Sequence, residues 1–328
     1  MKRTKKGLSI LGKLAATALI GTAMVAMSSG RAQALCSSPD EQTPLNGLGI
    51  ANFAVFTLGS PTNLDITGQS AVFGAVGMAS NGQFITTGPS VVNGGDVYLG
   101  TGVSQTVTSH TKPTIVTGED FSALVSQVLD PSAGLAAAAL SVPQNIFVPG
   151  GALNSGLTIC DKNYGSFCDV FPPSGMENSC NAIDVSGIQL NGGAKVFLYS
   201  ESQGASFTIN VSGAFALHSG SQIVPLAGAN NALSAGDILF NVAGSTQPVS
   251  LNGGTANGIS APCSAGNSVA KSQLEGILFA PYRDVQLDPG LVCGEVISGG
   301  SHVAITAGGE VINGEANGPQ QYDNGGGV

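Results

Sequence analysis

Charged residues and large polar aromatic residues are scarce in this sequence. Lys, Arg, Asp and Glu together make up 9% of its 328 residues, against about 25% in a typical soluble domain. Because 42% of the residues are apolar, the chain can form a core, and disorder driven by excess charge is excluded for most of it. Tryptophan is absent, and the five tyrosines are scattered along the chain. Sugar-binding pockets usually stack aromatic rings on the sugar, so a high-affinity lectin pocket is not expected.

Motifs of the common catalytic and cofactor-binding families are also absent. The sequence contains no Walker A loop, no G-x-G-x-x-G, no H-E-x-x-H and no G-x-S-x-G. Its 48 glycines lack the every-third-residue period of collagen.

Two acids and three histidines remain as candidates for catalysis. Asp284 and Asp288 lie at either end of a short predicted strand, where they would suit a general acid and base of polysaccharide cleavage. His110, His218 and His302 each lie beside a serine, but such residues are more often solvated turn or face residues. We therefore expect no enzymatic activity, with a polysaccharide-degrading enzyme as a further alternative, and no cofactor or metal site.

The first 34 residues are typical of a secretory signal peptide. Basic residues precede an apolar run from Leu14 to Met27, and Ala32-Gln33-Ala34 forms an A-x-A cleavage site. The run is too short to cross about 30 Å of hydrocarbon as a helix. A lipoprotein alternative rests on Cys36, but the preceding Leu35 is not the small residue that lipoprotein cleavage requires. We expect cleavage near Ala34 and an extracellular or cell-surface location in a bacterium.

Removal of this leader leaves a strongly acidic chain. Six of the 11 basic residues lie within residues 1–34, so five basic residues remain against 20 acidic ones, a net charge of −15. Such a surface repels phosphate backbones and anionic lipid headgroups. Nucleic-acid partners and stable membrane insertion of the mature chain are therefore not expected.

All six cysteines follow the leader, as is typical of an exported protein with disulfides. Six cysteines allow three disulfides in fifteen pairings, between which the sequence does not choose. A zinc site is the alternative, but no C-x-x-C or His-containing spacing supports it. The candidate disulfide cysteines are Cys36, Cys160, Cys168, Cys180, Cys263 and Cys293.

Short apolar alternations separated by Gly, Asn, Ser and Asp fill most of the chain and predict strands joined by turns. One segment differs, because the apolar residues of 121–128 follow a helical period. Thr117 and Asp120 have the spacing of a capping box before it, and Pro131 interrupts the pattern. We predict one or two helices within about 118–141, packed on the strands.

A repeat near the C-terminus indicates how the strands are arranged. Shifted by 18 residues, 276–290 matches 294–308 in its apolar and glycine positions. Two short strands at fixed turns are what a coil of a β-solenoid requires, because each coil buries its apolar residues against its neighbours. An ordinary hairpin meander is the alternative. Glycine tolerates the backbone angles of tight corners. The predicted corner residues are Gly276, Gly290, Gly294 and Gly308.

A series of short motifs extends over 45–312. These motifs are Leu45-Asn46-Gly47-Leu48-Gly49, Asn52–Phe56, Asp65–Gly68, Gly74–Gly77, Asp120-Phe121, Ile209–Gly213, Ile238–Asn241, Val249–Gly254, Gly276–Pro281 and Gly294–Ile297. In their order and spacing the chain resembles the choice-of-anchor A family of bacterial secreted proteins. The resemblance implies a right-handed parallel β-helix (β-solenoid) with one or two α-helices packed alongside, export, and deposition at a surface or in a matrix, without shared catalytic residues.

The chain departs from that family in a Cys-rich loop at 160–180, an insertion at 257–273 and a tail without a sorting signal. The tail therefore gives no support for C-terminal anchoring. The expected divisions are a signal peptide at 1–34, an N-terminal extension at 35–44, the β-solenoid domain at 45–312 and a flexible tail at 313–328.

The opening segment Leu48–Val55 is also similar to the start of microbial ice-binding β-solenoids, which carry a helix beside the solenoid as well. Ice binding requires a flat face of Thr, Ser or Ala repeated from coil to coil. The sequence offers only scattered threonines, at Thr86-Thr87, Thr106-Val107-Thr108 and Thr306-Ala307. The 18-residue alignment also places Asp288 over Thr306, which interrupts the array.

We therefore predict a secreted, non-catalytic β-solenoid protein that acts as a cell-surface or extracellular-matrix component in adhesion. The expected partners are an extracellular polysaccharide, a matrix protein or a surface. Ice binding is the alternative function, with ice as the partner.

Overall fold

A computed structural model describes most of the chain after residue 52. The described residues are 53–131, 134–177, 179–202, 204–226, 233–244, 247–253, 263 and 271–313. The predicted signal peptide, the N-terminal extension with Cys36, the tail beyond residue 313 and most of the insertion at 257–273 lie outside them.

Within the described residues the chain forms 23 strands, two α-helices and three 3₁₀ turns. The strands are β1 (Phe53–Thr57), β2 (Thr62–Ile66), β3 (Ala71–Phe73), β4 (Ala75–Met78), β5 (Gly82–Thr86), β6 (Val91–Asn93), β7 (Val97–Gly100), β8 (Val103–Val107), β9 (Ile115–Glu119), β10 (Leu157–Cys160), β11 (Cys180–Val185), β12 (Ile188–Leu190), β13 (Lys195–Tyr199), β14 (Ser206–Val211), β15 (Phe215–His218), β16 (Gln222–Pro225), β17 (Ile238–Asn241), β18 (Val249–Asn252), β19 (Ser272–Ala280), β20 (Val285–Asp288), β21 (Gly290–Ser298), β22 (His302–Ile305) and β23 (Glu310–Ile312). The helices are α1 (Ser122–Val128) and α2 (Leu135–Ser141), and the 3₁₀ turns are Pro149–Gly151, Gly165–Phe167 and Ala235–Asp237.

Each coil contributes strands to three faces, and neighbouring coils pair in parallel. Face A contains β11, β14, β17, β19, β21, β1, β4, β7 and β9 in stacking order. Face B is the eight-stranded sheet β12-β15-β18-β20-β22-β2-β5-β8, and face C contains β10, β13, β16, β19, β21, β23, β3 and β6. The predicted mainly β fold with parallel sheets is therefore confirmed, whereas its right-handedness stays a prediction.

The first coils of the chain stack on its last coil. On face A, Val55 pairs with Val296, and on face B, Leu64 pairs with Val303. The coils of residues 53–107 therefore form one end of the stack, and the coils after α2 form the rest. Residues near the two ends of the described chain become neighbours as a result.

The 18-residue repeat is confirmed by the strand register, since Gly276 pairs with Gly294 and Val285 pairs with Val303. Gly276 (φ 150°) and Gly294 (φ 142°) lie inside β19 and β21, at the points where these strands pass from face C to face A. Gly290 is the first residue of β21, and Gly308 (φ 87°) lies in the turn before β23. A Cβ at Gly294 would lie 2.2 Å from the Gly276 carbonyl oxygen, so the close approach there requires glycine.

Both helices lie within the predicted range of 118–141 and pack on the outer side of face A. The apolar side chains of Val128 and Leu135 are buried in a cluster with Phe279 and Ile297 of that face. No helix in the described part of the chain is long and apolar enough to cross a membrane.

The predicted cap at Thr117 is wrong. Residues 115–119 continue as strand β9, which pairs with β7, and α1 begins only at Ser122. Asp120 instead accepts a hydrogen bond from the Ser122 backbone N–H at 3.0 Å. Hydrogen bonding from the Ser122 side chain, and then from this backbone N–H, lowers the pKa of the Asp120 carboxyl.

Candidate functional site

Two of the three faces are largely covered. Face A carries the helices. Asn210 and Asn241 of this face donate hydrogen bonds to backbone carbonyls of α2. On face C, the outward side chains of Val224 and Leu291 are buried. Face B differs, because many of its outward side chains are exposed. The exposed members include Gln189, Gln286, Asp288, Asn63, Ser104 and Thr106.

Four threonines follow consecutive strands of face B and form one column, which we call the threonine ladder. Its members are Thr306, Thr67, Thr87 and Thr108, each directly after the last residue of its strand. They come from opposite ends of the described chain, and they meet because β2 pairs with β22.

Backbone hydrogen bonds fix the register of this ladder. Thr67 donates to the Ile305 carbonyl at 3.0 Å, Thr87 to the Ile66 carbonyl at 3.3 Å, and Thr108 to the Thr86 carbonyl at 2.9 Å. Adjacent strands of a sheet lie about 4.8 Å apart, so the four side chains repeat at about that spacing. A β-branched side chain has few χ1 rotamers, which keeps the repeat regular.

The ladder ends at Asp288. Leu287 pairs with Ile305, so the next residues, Asp288 and Thr306, are neighbours as the 18-residue alignment predicted. Asp288 in turn follows Asn252 and His218 in the same column. The column therefore presents threonine over four coils and other polar groups over the next three.

A histidine–aspartate contact lies beside the ladder. His302 Nε2 lies 2.9 Å from Asp65 Oδ2, and the two side chains are 38% and 26% exposed. The contact joins β22 to β2, across the boundary between the last and the first coil.

The candidate catalytic residues are dispersed over turns and face B. Asp284 accepts hydrogen bonds from the His302 backbone N–H at 2.9 Å and from the Ser301 hydroxyl at 3.1 Å, so its carboxylate binds the turn of the next coil. Asp288 is exposed, and His110 Nδ1 lies 3.0 Å from the Gly88 carbonyl oxygen. No group of three or more His, Cys, Asp or Glu side chains suited to a metal ion occurs among the described residues.

The described cysteines form disulfides. Cys160 is bonded to Cys168, and Cys263 is bonded to Cys293. Cys180 is disulfide-bonded as well. The first bond closes the start of the predicted Cys-rich loop, and the second ties residue 263 of the predicted insertion to face C.

Two of the tyrosines that are scattered along the sequence, Tyr164 and Tyr199, meet in the fold. The ring centroids of Tyr164 and Tyr199 lie 5.0 Å apart, and that of Phe167 lies 4.9 Å from Tyr199. The Tyr199 hydroxyl donates to Glu201 Oε1 at 2.5 Å, and this hydrogen bond is the main cause that raises the pKa of Tyr199 to about 12.

Thr67 is the ladder residue that the sequence reasoning missed. A signal was present, because Thr-Gly occurs at Thr67-Gly68 and again 20 residues later at Thr87-Gly88. The 18-residue repeat lies in the C-terminal coils, whereas Thr67 and Thr87 lie in the N-terminal coils, where the period is 20 residues.

Comparison with known proteins gives distant structural similarities. No family model matches the chain. No curated protein matches it. The resemblance to the choice-of-anchor A family therefore stays a prediction. Among solved structures, the ice-binding protein of the Antarctic ascomycete Antarctomyces psychrotrophicus is 13% identical with a TM-score of 0.43, covering 81% of this chain and 97% of that one. The ice-binding protein LeIBP of an Arctic yeast is 16% identical (TM-score 0.43, 81% and 93% covered), and an ice-binding protein from an Antarctic biological consortium is 16% identical (TM-score 0.42, 85% and 94% covered).

Proposed function

We propose that this protein binds ice crystals through the threonine ladder and the columns beside it on strands β22, β2, β5 and β8 of face B. The observation that carries the proposal is the ladder itself, four threonines in register on consecutive coils of a face with exposed side chains.

The chemistry of threonine suits a surface of ordered water. Its hydroxyl both donates and accepts hydrogen bonds, and its methyl group orders the water next to it. An ice surface presents water molecules at fixed repeats. A rigid row of side chains at about 4.8 Å can therefore hold several of them at once, and many weak contacts add to firm attachment when they form together.

The surroundings of the ladder also favour a neutral crystal over a charged partner. The nearest column contains Ala304, Asp65, Ile85 and Thr106. Its one carboxylate, Asp65, contacts His302. Disulfides are typical of proteins exported to oxidising compartments, where extracellular ice would be met. The adhesive or matrix role expected from the sequence stays a prediction.

The test is thermal hysteresis and inhibition of ice recrystallisation by the purified protein and by Thr87→Tyr. A tyrosine in the middle of the ladder holds the face away from a flat crystal, so we expect most of both activities to be lost. Thr117→Tyr is the matched control, because Thr117 is an exposed strand residue of β9 on face A. The proposal is wrong if the unchanged protein has neither activity, or if both variants lose it equally.

A further inference from the structure

The other half of face B contains a polar groove outside the threonine ladder. Its volume is about 620 Å³, within the range of small-molecule sites. It crosses strands β12, β15, β18 and β20, whereas the ladder follows β22, β2, β5 and β8. The proposed ice-binding function does not use it.

The register of four outward residues explains the shape of the groove. Gln189 pairs with Ala216, Ala216 with Ser250, and Ser250 with Gln286. The short side chains of Ala216 and Ser250 therefore lie between the long amide side chains of Gln189 and Gln286 in one column. Three strand spacings separate the glutamines, a backbone distance of about 14 Å. The groove is thus long enough for a short oligomer, with an amide at each end.

Side-chain hydrogen bonds orient polar groups at its edge. His218 Nδ1 contacts Asn252 Oδ1, and Asn252 Nδ2 donates to Ser250 Oγ at 2.9 Å. In the tautomer that donates from Nδ1 to this amide oxygen, His218 Nε2 is an acceptor. The Ser250 hydroxyl proton is left to donate. The edge therefore presents one acceptor and one donor in fixed positions.

The lining favours a neutral ligand rich in hydroxyl groups. The side chains of Gln189, Asn191, Gln247 and Gln286 can each donate and accept hydrogen bonds, as sugar hydroxyls do. The described residues that line the groove include no Lys, Arg, Asp or Glu. Without a lysine or arginine it offers no charged partner for phosphate or a carboxylate, and its four amide side chains do not suit a wholly apolar ligand.

We propose that this groove, the amide groove, binds a short stretch of a neutral polysaccharide. The two end glutamines and the His218–Asn252–Ser250 chain hold the sugar hydroxyls. The small side chain of Ala216 gives the sugar rings room to lie against the strands.

The test is isothermal titration of the purified protein with maltotetraose, cellotetraose and N-acetylchitotetraose. We expect at least one of them to bind with a dissociation constant of about 1 mM or tighter. Gln189→Ala combined with Gln286→Ala removes two amides and should weaken that binding about tenfold or more. Asn63→Ala combined with Gln83→Ala removes two amides from the ladder half of the same face and should leave it unchanged.

Two outcomes would overturn the proposal. The first is that none of the three sugars binds at about 5 mM or tighter. The second is that both double variants weaken binding equally, with far-UV circular dichroism showing both folded. Thermal hysteresis of the same variants separates this proposal from ice binding, because the loss of sugar binding in the groove variant should leave thermal hysteresis unchanged.

Discussion

Glu275 is a half-buried acid at the point where β19 passes from face C to face A. Its Oε2 has no hydrogen-bond partner, and burial raises the pKa of its carboxyl from 4.5 to about 7. The folded protein therefore holds this proton more tightly than the unfolded chain does. The contribution of Glu275 to the free energy of unfolding is therefore most favourable below pH 4.5, and it is lost as the pH rises from about 4.5 to 7. The shift corresponds to about 3 kcal/mol of unfolding free energy.

Glu275→Gln should remove this pH dependence, because the amide stays neutral. We expect the variant to be more stable than the unchanged protein at pH 8, by up to about 3 kcal/mol, and equally stable near pH 4. Urea unfolding at both pH values measures the difference. Glu177→Gln, at an exposed position, is the control and should leave the unfolding free energy unchanged at both pH values. An equal gain at pH 4 and pH 8 would contradict the assignment to Glu275.

Individual residues were the hardest part to predict from the sequence. The sequence identifies the six cysteines as disulfide candidates, but a pairing such as Cys263–Cys293 depends on which segments the fold brings together. Tyr164 and Tyr199 are 35 positions apart, and they meet because the loop closed by the Cys160–Cys168 disulfide folds back on β13. Contacts of this kind follow from the stacking of coils and leave no local pattern.

Disulfides tie two segments to the solenoid, and their loops differ in length. Cys160 and Cys168 are separated by 8 residues, and Cys263 and Cys293 by 30. The longer loop restricts the unfolded chain more, so its disulfide should contribute about 1 kcal/mol more to the unfolding free energy. We expect Cys263→Ala with Cys293→Ala to lower the melting temperature more than Cys160→Ala with Cys168→Ala.

Differential scanning calorimetry of the two double variants measures this order. The unchanged protein with and without reductant is the reference, and reductant should lower its melting temperature. Equal melting of the unchanged protein in both conditions, or a greater loss in the Cys160 and Cys168 variant, would contradict the prediction.

The strands and helices were more predictable than their ends. Alternation of apolar residues located the strands, and a period of 3.6 located the helices within 118–141. The helix start was misplaced because Thr117 and Asp120 satisfy the spacing of a cap, whereas pairing with β7 holds residues 115–119 in a strand. Tertiary pairing here outweighs a local capping signal.

At the scale of the whole molecule, the decisive feature is the junction between the last coil and the first. The 18-residue repeat predicted how neighbouring C-terminal coils align, and that register is confirmed. It could not predict that β2 lies on β22, since these strands are separated by most of the chain. The junction adds Thr306 to the three threonines that follow β2, β5 and β8, so the threonine ladder spans four coils. Threonines that were scattered in the sequence become a continuous row in the fold.

The length of the ladder should therefore set the strength of ice binding. Asp288 occupies the next position in the column, beside Thr306, and is exposed. Asp288→Thr extends the row from four coils to five, and each further coil adds contacts that form together with the rest. We expect thermal hysteresis to rise, on the order of twofold, at equal protein concentration.

Asp288→Asn is the matched control, because it removes the charge without adding a methyl group or a hydroxyl. Two effects are then separated. If a hydrated carboxylate at the end of the row limits binding, both variants improve equally, and the length of the ladder is not the cause. If the row itself holds the crystal, the thermal hysteresis of Asp288→Thr exceeds that of Asp288→Asn. Thr87→Tyr in the Asp288→Thr background should then abolish the gain, because the tyrosine divides the row that the new threonine extends.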